Sequence, residues 1–181
     1  MACTVLATEA KMLLHTLYLM SVWIHILAAM TWIGGMFFLV LVVVPWLRKG
    51  DRATAGAFLR DTGRRFRTVG WVSFAILLVT GTFNLWVRGV RLADFGRAEW
   101  LSSPFGRAVV LKLGVFAVVL LLSAYHDFVG GPQATAALER NPRSPEAEGF
   151  RRRASLLGRA NAMLALALVA MAVIVVRGWP W

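Results

Sequence analysis

The residues of this chain best equipped for chemistry are its three histidines, His15, His25 and His126. His25 is the most unusual, because it lies inside Tyr18–Trp46, a run of 29 residues with no formal charge when the imidazole is neutral. About 20 apolar residues span a bilayer core, and an ionisable side chain within such a run marks a functional site by default. Helical spacing places Tyr18, Ser21, His25, Ala28, Ala29, Trp32 and Met36 on one face. Its small residues let a second helix, or a flat cofactor, approach the backbone. Gly34 and Gly35 thin the helix just beyond Trp32 and permit a local bend. Three readings of His25 stand side by side: a hydrogen bond that ties two helices, ligation of a metal or haem iron through neutral imidazole, or proton relay. The neighbouring tryptophan, glycine pair and methionines favour the metal or haem reading.

His126 occurs in SAYHDF near the end of a later apolar stretch, on a face shared with Val119, Leu122 and Ser123 and directly followed by Asp127. That carboxylate fits an interfacial histidine as well as a ligand. His15 lies at the outer start of the first stretch, three residues from Met12. Counting helical rise from the span ends separates His25 from His126 by roughly 20–25 Å in height, too far to share one ion. Met12, Met20, Met30 and Met36 offer thioether sulfur suited to Cu(I), although methionine is also an ordinary gap-filler. Asn84, Thr80, Thr82 and Lys112 add polar groups to the outer half, where the threonines can bond their own backbone and the lysine can snorkel outward. Cys3 is the single cysteine, which excludes an internal disulfide and a multi-cysteine metal cage. No nucleophilic triad, phosphate loop or paired-carboxylate site is present, which disfavours hydrolysis and phosphoryl transfer.

These side chains need helices to position them. The 181 residues are 59% hydrophobic and 16% charged, the composition of one compact membrane domain, 1–181. Four stretches, 13–47, 69–87, 108–129 and 156–176, are expected to be transmembrane helices forming an all-α four-helix bundle, since backbone polar groups in lipid must be bonded internally. The first is long enough to tilt or to project beyond the bilayer at its outer end. Trp and Phe suit aromatic belts at the two membrane surfaces. The net charge of +11 does not indicate nucleic acid, because the basic residues flank the apolar spans.

Of the twenty Lys and Arg, seven fall in 48–68, six in 130–159 and seven on the other side. The positive-inside rule then places both basic connections in the cytoplasm and both termini outside. Residues 51–68 read either as a short interfacial helix on anionic headgroups or as a solvated basic loop. The 130–159 segment, with GGP, NPRSP and three consecutive arginines, reads as an irregular surface connection. Met1–Ala10 lacks the basic start and short apolar core of a cleavable signal.

The run WIHILAAMTWIGGMFFLVLVVVPW resembles the first helix of the CopD-type copper-resistance membrane family, a histidine followed by W-x-G-G, an apolar run and a proline. His25, Trp32, Gly34, Gly35 and Pro45 match it, and RRF at Arg64–Phe66, TGTFN at Thr80–Asn84 and LKL at Leu111–Leu113 extend the likeness over three spans. The outline is also similar to HemJ-type haem-binding membrane proteins, with His25 matching a first-helix histidine and Lys112 with His126 echoing a later pattern. VVVPWLRK lacks the arginine and histidine expected there for that family. The resemblance implies copper binding and movement or delivery across a bacterial cytoplasmic membrane, with His25 as main ligand, His15 as an outer contact and His126 as an inner one. Trp32, Gly34, Gly35 and Met36 would line the same site. The alternatives are a haem b oxidoreductase or electron carrier held by His25, and an accessory subunit without chemistry. Expected partners are the lipid bilayer and either a periplasmic copper-binding protein or a second copy of the chain.

Overall fold

A computed structural model describes residues 2–47, 52–141 and 144–178. Among these residues there is no strand, and four helical stretches are long and apolar enough to cross a membrane: Val5–Trp46, Asp61–Val87, Pro104–Ala134 and Pro145–Arg177. The helices in chain order are α1 (Ala2–Phe38), α2 (Val44–Leu47), α3 (Arg52–Val87), α4 (Ala98–Ser102), α5 (Pro104–Tyr125), α6 (Gly131–Arg140) and α7 (Pro145–Arg177). Apolar faces outnumber the contacts available inside so small a bundle. Trp23, Met30, Leu121 and Val176 are therefore among many large apolar side chains left exposed, where hydrocarbon is their solvent. The chain is a multi-pass membrane protein.

The α1 helix runs unbroken through Gly34 and Gly35, and its irregular turn comes one turn later, as a π-helical segment at Leu39–Val43. Pro45 is the physical cause: it donates no N–H and its ring crowds the carbonyl four residues earlier, and a wider turn accommodates both. Residues 52–68 are neither a loop nor a separate surface helix. They continue directly into the second span as one 36-residue helix, because no proline interrupts them. Phe66 also fastens this part to α1, lying where a Cβ on Gly35 would be 2.6 Å from the ring.

The C-terminal end of α3 closes in a Schellman motif: Val90 N–H bonds Leu85 O and Gly89 N–H bonds Trp86 O, both at 3.0 Å. Gly89 has φ +87°, the left-handed conformation that favours glycine at this position. Ser103 then caps α5 by accepting from Gly106 N at 3.0 Å, with Pro104 in the first turn. The same logic corrects the reading of 130–159 as irregular. Pro132 stands in the first turn of α6, and Ser144 caps α7 by accepting from Ala147 N at 3.1 Å with Pro145 following. Pro145 begins its helix, where its missing N–H costs nothing, while Pro132 follows the π-helical segment His126–Gly130 inside one helical run.

The core runs up the centre of the bundle from Ala28, Trp32 and Met36 on α1 through Phe74 and Leu77 on α3 to Val119 on α5 and Ala162, Ala165 and Leu168 on α7. Trp32 packs edge-on to Phe74 at 4.8 Å between ring centroids, and Phe74 meets Trp71 at 5.6 Å and Phe116 at 6.1 Å. Small alanines on α7 let α5 come close. Asn161 on α7 adds a polar clasp, donating to Ser123 Oγ on α5 at 3.3 Å.

Candidate functional site

The buried face of α1 is the one that helical spacing selects. Ser21, Ala28, Trp32 and Met36 are buried, and Tyr18, His25 and Ala29 are half-buried against the bundle. His25 meets α3: its Nδ1 lies 2.8 Å from Thr80 Oγ1. The same hydroxyl donates to Ile76 O at 2.6 Å. A hydroxyl has one proton. With that proton on the Ile76 carbonyl, Thr80 can only accept from the imidazole, so Nδ1 carries hydrogen and Nε2 keeps its lone pair. Ser21 Oγ donates to Thr80 O at 3.5 Å from the same face.

Gly81 makes this contact sterically possible. A Cβ there would stand 3.3 Å from Cε1 of His25 and 3.8 Å from Nδ1, crowding the ring away from Thr80. Thr80 and Asn84 are prominent in the sequence as polar residues of a span, but the need for glycine at position 81 is invisible without the partner helix. Lys112 of α5 lies within electrostatic reach of His25, and Arg88 at the C-terminal end of α3 lies within reach of Lys112. Arg88 donates to Val175 O near the end of α7 at 3.4 Å and lies 5.0 Å over the Phe105 ring.

The other sequence-selected residues fall in different places. Trp32 and Met36 belong to the aromatic core below His25. Gly35 is the seat for Phe66, whereas Gly34 is exposed and a Cβ there would meet nothing within 4 Å. His15 is exposed in the N-terminal part of α1. Met12, Met20 and Met30 are exposed on faces turned away from the bundle, so Met36 is the only one of the four methionines on α1 that points inward.

His126 opens a second π-helical segment, His126–Gly130, that joins α5 to α6. Its Nδ1 lies 3.0 Å from Asp127 Oδ1, and Asp127 Oδ2 accepts from Trp71 Nε1 at 3.0 Å. The carboxylate thus ties His126 to α3. Tyr125, His126, Gln133, Phe150 and Arg153 line a small cavity of about 20 Å³ beside it, room for about one water. Trp71 and Thr80, the α3 anchors of the two histidines, are nine residues apart, or about 14 Å along the helix. This is shorter than the 20–25 Å expected from the span ends, because α1 runs on beyond the level of His126 to reach Phe66. It still keeps the two imidazoles from sharing an ion. Among the described residues no group of three or more His, Cys, Asp or Glu is placed to hold a metal.

Comparison with known proteins agrees with this architecture. Residues 60–176 match the family model described as copper resistance protein D. That match takes in α7, which carries no motif of its own, and leaves out the WIHILAAMTWIGG run. An uncharacterised protein of Aquifex aeolicus (strain VF5) is 32% identical over 157 residues, covering 86% of this chain and 93% of that one. The copper transport protein CutJ of Bacillus subtilis (strain 168) is 26% identical over 127 residues, which are 70% of this chain but 22% of CutJ. No solved structure matches the chain. A histidine-bearing four-span bundle whose last three spans fit one family model, in a chain related to a copper transport protein, has a plain conclusion: the chain belongs to the copper resistance protein D family.

Proposed function

We propose that this protein binds copper within the bacterial cytoplasmic membrane and moves or delivers it across, with His25 as the principal ligand and both termini outside. The observation that carries the reading is the Thr80 contact, which holds the imidazole by Nδ1 and leaves Nε2 as the nitrogen for a metal. Neutral imidazole held by its other nitrogen is the usual form of a histidine ligand. Family membership and the likeness to CutJ supply copper as the cargo.

The donor set defines how the cargo is held. His25 is the one imidazole on the buried face of α1, and the thioethers of Met12, Met20 and Met30 face away from it. Copper at His25 therefore takes one ligand from this chain's interior and completes its shell from elsewhere, a periplasmic copper-binding protein or a second copy of the chain. His126, whose Nδ1 meets the Asp127 carboxylate where His25 meets a hydroxyl, is the inner contact in this reading, and exposed His15 the outer one.

Purified protein in detergent, titrated with Cu(I) and also scanned for visible absorption, tests the proposal. The expected result is copper bound by the wild type and reduced in His25→Ala far more than in His15→Ala, at matched folding. A Soret band would replace copper with haem b as the group held by His25. Full retention of copper in His25→Ala would remove it as the ligand and leave it a helix-bridging residue.

A further inference from the structure

Between two points of close contact, α1 and α3 leave a furrow. The helices meet at His25 and Thr80, 2.8 Å apart, and again where a Cβ on Gly70 would be 3.7 Å from the Trp32 ring. Ala28 and Ser73 lie between these meeting points and are too small to fill the space. They form the buried floor of a groove of about 360 Å³, with Leu27, Thr31, Thr68 and Val72 exposed along its rim. Along α3 the groove runs from Thr68 to Ile76, about 12 Å of helix. Its open side faces hydrocarbon, because it lies within the apolar part of both spans.

Positive charge stands at one end of the groove. Arg64 and Arg65 precede Thr68 and Val69 by one helical turn, so they continue the same face of α3. Both are exposed, and their Cα–Cβ bonds tilt toward the helix N-terminus, away from the span. Arg65 Nε donates to Asp61 Oδ2 at 3.2 Å, and Arg64 makes no ion pair among the described residues. Asp61 is the single acidic residue of 52–93, whereas 52–67 holds five arginines. On α1 the level of this charge is marked by Gly35, the seat of Phe66. Beside it Gly34 is exposed with open space where a Cβ would lie, so no side chain at that position closes the basic end. No Asp or Glu occurs in 10–50, 62–93, 100–126 or 149–181. A span of a second copy laid in the groove would therefore bring no carboxylate to these arginines.

We propose that the α1–α3 groove binds one anionic phospholipid, with a fatty acyl chain over Ala28 and Ser73 and the phosphate against Arg64 and Arg65. Apolar depth suits the chain, and basic clefts between membrane helices suit acidic headgroups. Guanidinium groups pair with phosphate oxygens by charge-assisted hydrogen bonds. The lipid fills the space between the first two spans and stabilises their pairing. The site does not depend on the identity of the cargo, and it stands or falls independently of copper binding.

Native mass spectrometry of the full chain in detergent, free of copper, tests the site with phosphatidylglycerol and phosphatidylcholine of identical acyl chains. The wild type is expected to retain one phosphatidylglycerol in preference to phosphatidylcholine. It should also gain Tm with added phosphatidylglycerol and level off at saturation, as ligand linkage requires. The double variant Arg64→Gln, Arg65→Gln should bind phosphatidylglycerol about thirtyfold more weakly and lose the Tm response. Arg152→Gln with Arg159→Gln, an equal loss of charge on α7, should leave both readouts unchanged. Ser73→Leu, which fills the floor, should weaken retention of both lipids, an effect that attraction to surface charge alone does not produce. Should Ser73→Leu fail to fold, Val72→Trp on the exposed rim carries the same comparison. Equal phosphatidylglycerol retention by the wild type, the arginine double variant and the groove-filling variant would overturn the site. A lipid-free dimer that the groove-filling variant abolishes would also overturn it, in favour of a second copy in the groove.

Discussion

At the scale of single residues, two glycine pairings separate steric need from simple tolerance. Gly34 and Gly35 are adjacent in sequence, but only Gly35 has a ring where its side chain would go. Gly35→Val should cost about 1–3 kcal/mol of stability through overpacking on Phe66, whereas Gly34→Ala should be neutral or slightly stabilising through helix propensity. Thermal or denaturant unfolding in one detergent, run on both variants, measures the difference. At Gly81 the expected effect is on ligand geometry as well: Gly81→Val should push the imidazole from Thr80 and reduce Cu(I) binding, while Thr82→Val, on an exposed position of the same helix, should not. Comparable copper content in the two variants would dismiss the Thr80 clamp as a determinant. The bond from Trp71 to Asp127 makes a third case. Trp71→Phe keeps the aromatic packing but leaves Asp127 Oδ2, which is part-buried, without its donor, at a cost of about 1 kcal/mol for the lost hydrogen bond. The histidine beside it should then give altered proton NMR shifts, with no effect at His25.

At the scale of elements, prolines and glycines act by position. Pro145 opens a helix, Pro45 and Pro132 each follow a widened turn, and Gly89 closes a helix. The continuous α3 gives the clearest prediction at this level. Gly63 is exposed with open space where a Cβ would lie, so Gly63→Ala should be harmless. Gly63→Pro should break the helix between its basic first half and its span, at about 3 kcal/mol or more. Spin labels placed at Phe58 and Val69 report it as a broadened distance distribution. An unchanged distribution in Gly63→Pro would mean that the basic segment is not a continuation of α3. His126 and Asp127 show a related effect: both lie at the start of a π-helical segment, a feature frequently found at functional sites.

At the scale of the whole molecule, the bundle is built from two antiparallel pairs, α1 with α3 and α5 with α7, joined at the centre by Trp32, Phe74, Phe116 and Val119. The pairing sets the vertical order of the chemistry: Arg88 and Lys112 above, His25 and Thr80 next, the aromatic core below, and Trp71, Asp127 and His126 at the other end. Thirteen of the twenty basic residues fall in 48–68 and 130–159, and the positive-inside rule expects both connections in the cytoplasm. Single cysteines at Arg65 and Arg152, in a Cys3→Ser background, should be labelled by an impermeant maleimide only after the membrane is opened. Labelling of both in intact cells would invert the topology, and with it the assignment of His126 to the inner face.

The spans, the buried stripe and the polar residues that stand out within it were legible in the sequence, because hydropathy and a period of 3.6 are local properties of a chain in lipid. Tyr18, Ser21, His25, Ala28, Trp32 and Met36 turn toward the bundle for that reason alone. The fourth span shows the limit of motifs: its hydropathy identifies it as a helix, but Asn161 and its hold on Ser123 emerge only when α5 lies beside α7. Tertiary structure also decided the tautomer of His25, since that depends on a hydroxyl 55 residues away whose proton is already committed to Ile76. It decided which glycine of the Gly34–Gly35 pair is needed, which methionine of α1 faces inward, and how far apart His25 and His126 stand. Each of these depends on the register between helices, which side chains set by packing against one another across the bundle and which no window along the chain contains.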